Sequence, residues 1–362
     1  MENNVNCEKN PAVEKTVGGV EVIWRDVIEA PFMLHGLLMP DGELPFYHRV
    51  PKAVAEATSA GVTALSRESA GGRVRFATDS PYIAIRAKFC VVGRSPHLTF
   101  CSSAGFDLYT DGAYGSKFIR PFLPSLEMKD GYESVIDMKQ SAMRTYTVNF
   151  PVHSVVVSLE IGLKPGAVLG APEAYRDYAP ISFYGSSIVH GTAATRPGLT
   201  YSSVISRELN LDFRNIGFSG MAKGEEAIAR WMAQLPMSVF VCDYDHNAPT
   251  VEHLRDTHYR LYEIIREKNP TVPYIMVTRP DYYTRITEQE HILLRRDVIM
   301  ESYLKARAAG DKNVYFVDGL SFSVAPHQYE YSTDSVHPND SGFLRMADAI
   351  GTVIRHALEK GK

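Results

Sequence analysis

Two short segments, far apart in the chain, hold residue types that together can cleave an acyl bond. The first is Tyr184-Gly185-Ser186-Ser187-Ile188-Val189-His190-Gly191, directly after the strand-like run Ile181-Ser182-Phe183. The second is Asp334-Ser335-Val336-His337-Pro338, directly before an amphipathic C-terminal stretch. A serine hydroxyl is a weak nucleophile until a neighbouring imidazole takes its proton. The imidazole in turn needs a carboxylate to fix its tautomer and stabilise the imidazolium. Glycines beside the serine let the backbone turn sharply and let a substrate carbonyl approach. These residues point to serine hydrolase chemistry, with Ser187 as nucleophile, His337 as base and Asp334 as its orienter. Each half alone has a plainer reading. Gly/Ser turns after strands are common, and Asp-x-x-His also suits a helix cap beside a surface histidine.

Other polar residues compete for attention. His190, three residues after Ser187, is too close in sequence to serve as base and reads as a rim or structural residue. Asp243, Asp245 and His246 resemble metal ligands, but no second cluster has matching spacing; no metal is expected. Arg279 follows an apolar strand and suits either a substrate oxygen or a structural ion pair. Arg196-Pro197-Gly198 reads as a scaffold turn. Cys7, Cys90, Cys101 and Cys242 lack metal-ligand spacing. Cys90 and Cys242 sit in apolar runs and read as buried thiols, and a Cys90–Cys101 bridge is the alternative for that pair.

The elements that must position these residues divide into two patterns. Residues 20–170 are β-rich: Val74–Ala77, Ile83–Phe89 and Thr145–Phe150 alternate with period two, and Val155–Ile161 begins as an apolar run. Turn signals at Ala70-Gly71-Gly72, Asp111-Gly112 and Lys129-Asp130-Gly131 separate them. Many short strands with regular turns predict a sandwich; one helical stretch, Lys52 to Ser66, interrupts it. A Gly-, Pro- and Tyr-rich linker follows, over about 164–180. Short apolar strands then alternate with helices: Ile181–Tyr184, Val239–Cys242, Tyr274–Val277 and Val314–Val317, with helical runs such as Val251–Lys268 and Glu288–Ala309. That alternation predicts a parallel sheet with helices on both faces, and active sites in such sheets lie at the carboxyl ends of the strands. The domains expected are a tail over 1–19, a β domain over 20–172 and an α/β domain over 173–362. Phe343, Met346, Ala347, Ile350, Val353, Ile354 and Leu358 form a helical core stripe. Packing that stripe would anchor the loop that carries Asp334 and His337.

Four spaced blocks carry a family resemblance. Gly185-Ser186-Ser187-Ile188, Asn215-Ile216-Gly217-Phe218-Ser219-Gly220, Asp243-Tyr244-Asp245-His246-Asn247 and Asp334-Ser335-Val336-His337 resemble, in order, blocks of the SGNH (GDSL-type) hydrolases over roughly 178–358. Gly105-Phe106-Asp107-Leu108-Tyr109 resembles the Gly-x-Asp-Leu-Tyr signature of a β domain fused to one SGNH subfamily. The resemblance implies an α/β chain: a C-terminal three-layer α/β/α SGNH domain with a parallel sheet, and an N-terminal β sandwich of jelly-roll type. It implies Ser187, Asp334 and His337 as catalytic residues. It also implies an oxyanion hole from the backbone N–H groups of Ser187 and Gly220 and the Asn247 side chain. The chain departs from the family pattern at Ser186, where Asp is common, at Met221, where a polar residue is frequent, and at the third block, which lacks Gly-x-Asn-Asp. The order Ser, Asp, His is shared with α/β hydrolases, yet their Gly-x-Ser-x-Gly elbow is absent, since position 189 is Val.

The activity implied is hydrolysis of short-chain, acetyl esters of carbohydrate through an acyl-enzyme, with no cofactor. A lipid-type acylhydrolase or thioesterase, and a non-catalytic carbohydrate-binding protein on a decayed hydrolase, are the alternatives. The partner expected is a small-molecule or oligosaccharide ester, and a homo-oligomer is left open. The β domain is expected to shape the cleft. At 362 residues the chain is long enough for two cores. A net charge of −4 without basic blocks argues against nucleic acid, and no run of about 18 apolar residues suggests a membrane span. Met1 to Glu14 lacks the apolar core of a signal peptide; a cytoplasmic location is expected, or a secreted one if a leader has been removed.

Overall fold

The computed structural model describes residues 16–111, 116–323 and 326–360. The N-terminal tail to Glu14, Cys7 and the turn glycine Gly112 lie outside the described residues. The C-terminal half is built on a wholly parallel five-stranded sheet. Its strands run in the order Phe213–Gly217, Ile181–Gly185, Phe240–Asp243, Tyr274–Val277 and Val314–Val317. The strands are near-continuous apolar runs because helices cover both faces. Alternate side chains go to opposite cores. Tyr184, Ile216, Phe240, Cys242, Tyr274 and Met276 pack with Leu254, Leu261 and Ile299 of helices Val251–Lys268 and Gln289–Ala308. Ile181, Phe183, Phe213, Val241, Ile275 and Val277 pack with Val204 and Ile205 of helix Tyr201–Leu209 and Phe343, Met346 and Ile350 of helix Asp340–Lys360. The stripe of the last helix is therefore core, and it anchors the chain just after His337.

The N-terminal half is antiparallel. One sheet contains Leu169–Gly170, Arg73–Thr78, Arg144–Asn149, Phe106–Thr110 and Lys117–Phe122, with Met33–His35 also paired to Arg73–Thr78. A second contains Ile23–Asp26, Val155–Leu163, Tyr82–Val91 and Gly131–Asp137, and Thr16–Val17 pairs with Val20–Glu21 in a small two-stranded sheet. Phe76, Phe106, Leu108 and Val148 of the first sheet meet Ile85, Phe89, Leu159 and Ile161 of the second in one buried core. The period-two alternation of these segments is the reason they form a sandwich.

The helical stretch expected over 52–66 is two helices, Lys52–Thr58 and Ala60–Leu65. Ser59 breaks it: its backbone is extended, and its side chain caps the second helix by accepting from the Val62 N–H at 3.1 Å. Val50, Ala55 and Val62 pack into the core of the α/β half, beside Phe218 and Ala222. This segment of the sandwich interval thus reaches the loop after Phe213–Gly217. Among the described residues, no helix is long and apolar enough to cross a membrane.

Candidate active site

Ser187 opens a one-turn helix, Ser187–His190, at the carboxyl end of strand Ile181–Gly185. Ser186 starts the turn by accepting from the Ile188 N–H at 3.2 Å, a cap role that accounts for a serine at this position. Gly185 is required by close approach: a Cβ there would lie 1.9 Å from the Asp243 carbonyl oxygen of the neighbouring strand. Gly191 closes the turn with φ of 109°, where a side chain is unfavourable.

His337 Nε2 is 2.9 Å from Ser187 Oγ, and His337 Nδ1 is 2.7 Å from Asp334 Oδ2. The other Asp334 oxygen accepts from the backbone N–H of His337 at 2.8 Å and of Val336 at 3.1 Å. Ser335 adopts φ of 71°, which folds the chain back so that both N–H groups face that oxygen. Burial opposes ionisation of Asp334, but the hydrogen bonds from His337 and Val336 outweigh it and hold the carboxyl below its ordinary range. With an ionised Asp334 accepting from Nδ1–H, the bare Nε2 faces the serine hydroxyl. The relay is partly open to solvent: the side chains of His337 and Asp334 are 17% and 32% exposed.

Gly220 has φ of 72° in the loop after strand Phe213–Gly217. Asn247 lies on the turn Asp245–Asn247 after strand Phe240–Asp243. Its amide donates to the Phe218 carbonyl at 2.9 Å, which ties it to the Gly220 loop. Asn247 is not the cap of helix Val251–Lys268; Thr250 fills that role, accepting from the His253 N–H at 3.1 Å. Met221 packs against Gly61, where a Cβ would come within 2.3 Å of its sulfur, so an apolar residue suits this position.

The β half also reaches the site. The ring of His97 stacks on His337 with centroids 5.5 Å apart. Glu68 and His153 meet His190 behind the Gly220 loop. Sequence reasoning placed none of these three, because no local pattern marks a contact made across the domain junction. His190 is fully buried and faces away from the relay; burial and then Arg49 push its imidazole down to about 3. Burial alone would raise Glu68, but hydrogen bonds from His153 and His190 hold it well below the carboxylate range. Arg49 braces the same region, donating to the carbonyls of Gly217 at 2.6 Å, Leu65 at 2.6 Å and Glu68 at 2.8 Å.

Asp243, Asp245 and His246 do not converge on one centre. Asp243 accepts from the Tyr201 hydroxyl at 3.2 Å, and burial, then Asp245, keeps its carboxyl well above the ordinary range. Asp245 accepts from the Arg279 N–H at 3.1 Å, and burial pushes it up to about 6. His246 faces Asp281 at 3.5 Å. Arg279 is a structural ion pair, bonded to Asp281 at 2.7 and 2.6 Å. Among the described residues, two other sets bring ligand atoms within 4.8 Å of one another: Glu68, His153 and His190, and His97, Asp334 and His337. In the first, mutual hydrogen bonds already use the ligand atoms, and buried Arg49 opposes a second cation. In the second, Asp334 and His337 Nδ1 are already bonded to each other at 2.7 Å. Cys101 and Cys242 carry free thiols, so Cys101 is not bridged to Cys90; Cys242 is buried and Cys90 half-buried.

The Gly105-to-Tyr109 signature lies on the domain junction. Buried Asp107 accepts from the Asn149 amide at 2.7 Å, the Gly198 N–H at 2.9 Å and Arg196 at 3.2 Å. The turn at Arg196 is therefore scaffold with a stated job, clamping the α/β half to the sandwich.

Comparison with known proteins adds a second line of observation. Residues 178–355 match the model of the GDSL-like lipase/acylhydrolase family. Residues 22–169 match the model described as the N-terminus of Esterase_SGNH_hydro-type. No curated protein matches the chain. Among solved structures, a protein described as a GDSL-like lipase from Bacteroides ovatus is 27% identical, covers 94% of this chain and 98% of its own, and superposes with a TM-score of 0.84. A salicylyl-acyltransferase from a tetracycline biosynthetic pathway is 19% identical over 91% of this chain and 95% of its own, with a TM-score of 0.73. An acetyl xylan esterase from the rumen bacterium Butyrivibrio proteoclasticus is 11% identical over 93% and 99%, with a TM-score of 0.57. The last two share the fold.

Proposed function

The chain belongs to the GDSL-like lipase/acylhydrolase family and is a carboxylic ester hydrolase of SGNH type; from that premise we propose that Ser187, His337 and Asp334 are its catalytic triad and that it removes acetyl groups from carbohydrate. The observation that carries the reading is the relay itself, 2.9 Å from Ser187 Oγ to His337 Nε2 and 2.7 Å from His337 Nδ1 to Asp334. Ser187 Oγ attacks the ester carbonyl while Nε2 takes its proton. The N–H groups of Ser187 and Gly220 and the Asn247 amide stabilise the oxyanion, the term that usually contributes most in such sites. The intermediate collapses, Nε2–H protonates the departing sugar oxygen, and Ser187 carries the acyl group. A water then gives its proton to Nε2 and attacks; collapse releases the acid and returns the proton to Ser187.

Two features support a sugar as leaving group. The partly exposed relay suits a bulky, hydrated alcohol. Beside it, Thr284 donates to the Ser335 carbonyl at 2.8 Å, and next to Thr284 the Tyr283 ring packs edge-on against Tyr329, which is 59% exposed. Open aromatic faces of this kind suit sugar rings. The carbohydrate esterases that share this fold point the same way. The test is a screen of acetylated oligosaccharides against p-nitrophenyl esters of increasing chain length. Deacetylation of at least one saccharide class, and acetyl turned over faster than octanoyl, is expected. Faster octanoyl turnover would move the reading to a lipid-type acylhydrolase.

A further inference from the structure

A closed ring of hydrogen bonds joins the β half to the loop that carries Gly220. Glu68 Oε2 lies 3.1 Å from His153 Nδ1 and 2.9 Å from His190 Nε2. His153 Nε2 lies 3.1 Å from Thr192 Oγ1, which is 3.3 Å from Ser219 Oγ, which is 3.1 Å from His190 Nδ1. His153, His190 and Thr192 are buried. Buried polar groups of this kind are costly unless every one is satisfied.

The protons can be followed round the ring. His190 Nε2 faces only acceptors, the Glu68 carboxylate and the Val152 carbonyl at 3.1 Å, so it carries the hydrogen. The neutral ring, held so by burial, then offers Nδ1 as an acceptor. Nδ1 receives the Ser219 hydroxyl and, at 3.4 Å, the Ser219 backbone N–H. Glu68 accepts from His153 Nδ1–H, which leaves His153 Nε2 an acceptor on the far side of the ring. Ser219 Oγ, its proton spent on His190, is an acceptor too. Thr192 therefore stands between two acceptors and gives its single hydroxyl proton to one of them at a time, and every donor of the ring has a partner.

The next peptide is the one that matters. Its N–H belongs to Gly220, whose φ is 72° and at which an added Cβ would meet nothing within 4 Å. The peptide lies in a turn closed by the Met221 N–H to the Phe218 carbonyl at 2.9 Å, and Ser219 is the side chain that fixes this turn to the ring. We propose that Glu68 and His153 are positioning residues, acting through Thr192, His190 and Ser219 to hold the Gly220 N–H where an oxyanion forms. This rests on the assignment of Gly220 to the oxyanion hole. It gives the β half a part in catalysis without any contact to the reacting atoms. A loosened ring should weaken stabilisation of the transition state and spare ground-state binding, so kcat falls and KM does not.

The test uses the full chain and p-nitrophenyl acetate. Thr192→Val keeps shape and removes the central hydroxyl; Thr192→Ser keeps the hydroxyl. Loss of a direct oxyanion donor costs about 10²–10³-fold in kcat, so a slackened one should cost less, about tenfold. That loss is expected in Thr192→Val and in Glu68→Gln, with KM within about twofold, while Thr192→Ser stays near wild type. The double variant Glu68→Gln/Thr192→Val should be about as slow as the slower single, because the ring acts as a unit. Rates are expressed per fluorophosphonate-titrated site, and melting temperature is followed in parallel. If Glu68→Gln does not fold, the Thr192 pair decides alone. Wild-type kcat in Thr192→Val, equal losses in Val and Ser, or a multiplicative double variant would overturn the proposal. Failure of the underlying triad reading is distinguishable, since it would appear as activity surviving in Ser187→Ala.

Discussion

Replacing Asp334 by Asn tests the relay at the point where its geometry is most constrained. One carboxylate oxygen accepts from two backbone N–H groups, at 2.8 and 3.1 Å, and the other accepts from His337 Nδ1 at 2.7 Å. An asparagine must choose. With its oxygen toward the two N–H groups it keeps both bonds, and its NH₂ then faces Nδ1. Flipped, it exchanges one bond to the imidazole for another, loses the two to the backbone, and sets NH₂ against two donors. At about 1 kcal/mol per bond the flip costs about 2 kcal/mol before donor–donor repulsion is added. The first orientation should dominate. It forces the proton onto Nε2, where it blocks acceptance from Ser187. The same substitution in a chymotrypsin-like protease lowers kcat by about 10⁴, and a loss of about 10³–10⁴ is expected here. Stability should change by no more than about 1 kcal/mol, since the pair is partly exposed. Steady-state kinetics on p-nitrophenyl acetate, with thermal melting alongside, would check it. A variant that keeps more than about a tenth of wild-type kcat would refute the tautomer argument.

Three further outcomes are expected. Asn247→Ala should lower kcat about a hundredfold with KM little changed and melting temperature held if the amide has the oxyanion role proposed for it, since Thr250 and not Asn247 caps the helix; steady-state kinetics and melting separate the two roles. Gly198→Ala should destabilise the domain junction by about 1–3 kcal/mol in chemical denaturation, since its Cβ would lie 2.5 Å from the Tyr109 ring and 2.8 Å from Asp107. Asp245 is raised from 3.8 to about 6 in the folded chain. Its stabilising contribution is therefore present below the unfolded value and is lost as pH rises through about 6. Asp245→Asn should accordingly gain stability relative to wild type, on the order of 3 kcal/mol between pH 4 and pH 7. Denaturant titrations of both proteins at several pH values would show it, and a pH-independent difference would contradict it.

What could be read in the sequence, and what could not, follows the range of the interactions. Ser187 sits on a local turn written by Gly185, Ser186 and Gly191, and Asp334 holds His337 within a four-residue loop. Such features are visible in short strings because the bonds that make them are short-range. The apolar runs at 181–184, 274–277 and 314–317 announced buried parallel strands for the same reason. Ser59 was harder: only its own extended backbone, favoured by the cap bond to Val62, splits a stretch that otherwise reads as one helix. Glu68, His97 and His153 were invisible, since each reaches the site across the junction and none lies in a pattern of its own. The destination of residues 50–65 was hidden likewise. Their apolar positions announce a buried face without saying which core receives it, and Val50, Ala55 and Val62 enter the core of the α/β half.

The central claim is that Ser187 is an activated nucleophile, poised by His337 at 2.9 Å. The direct measurement is labelling by a fluorophosphonate probe, read as covalent mass on the intact chain and mapped to a peptide. Wild type should take up one label per chain at Ser187, with ester hydrolysis lost in proportion to labelling. Ser187→Ala should remain folded, take up none and hydrolyse nothing. Undiminished labelling of Ser187→Ala, or activity that survives stoichiometric labelling of wild type, would contradict the account.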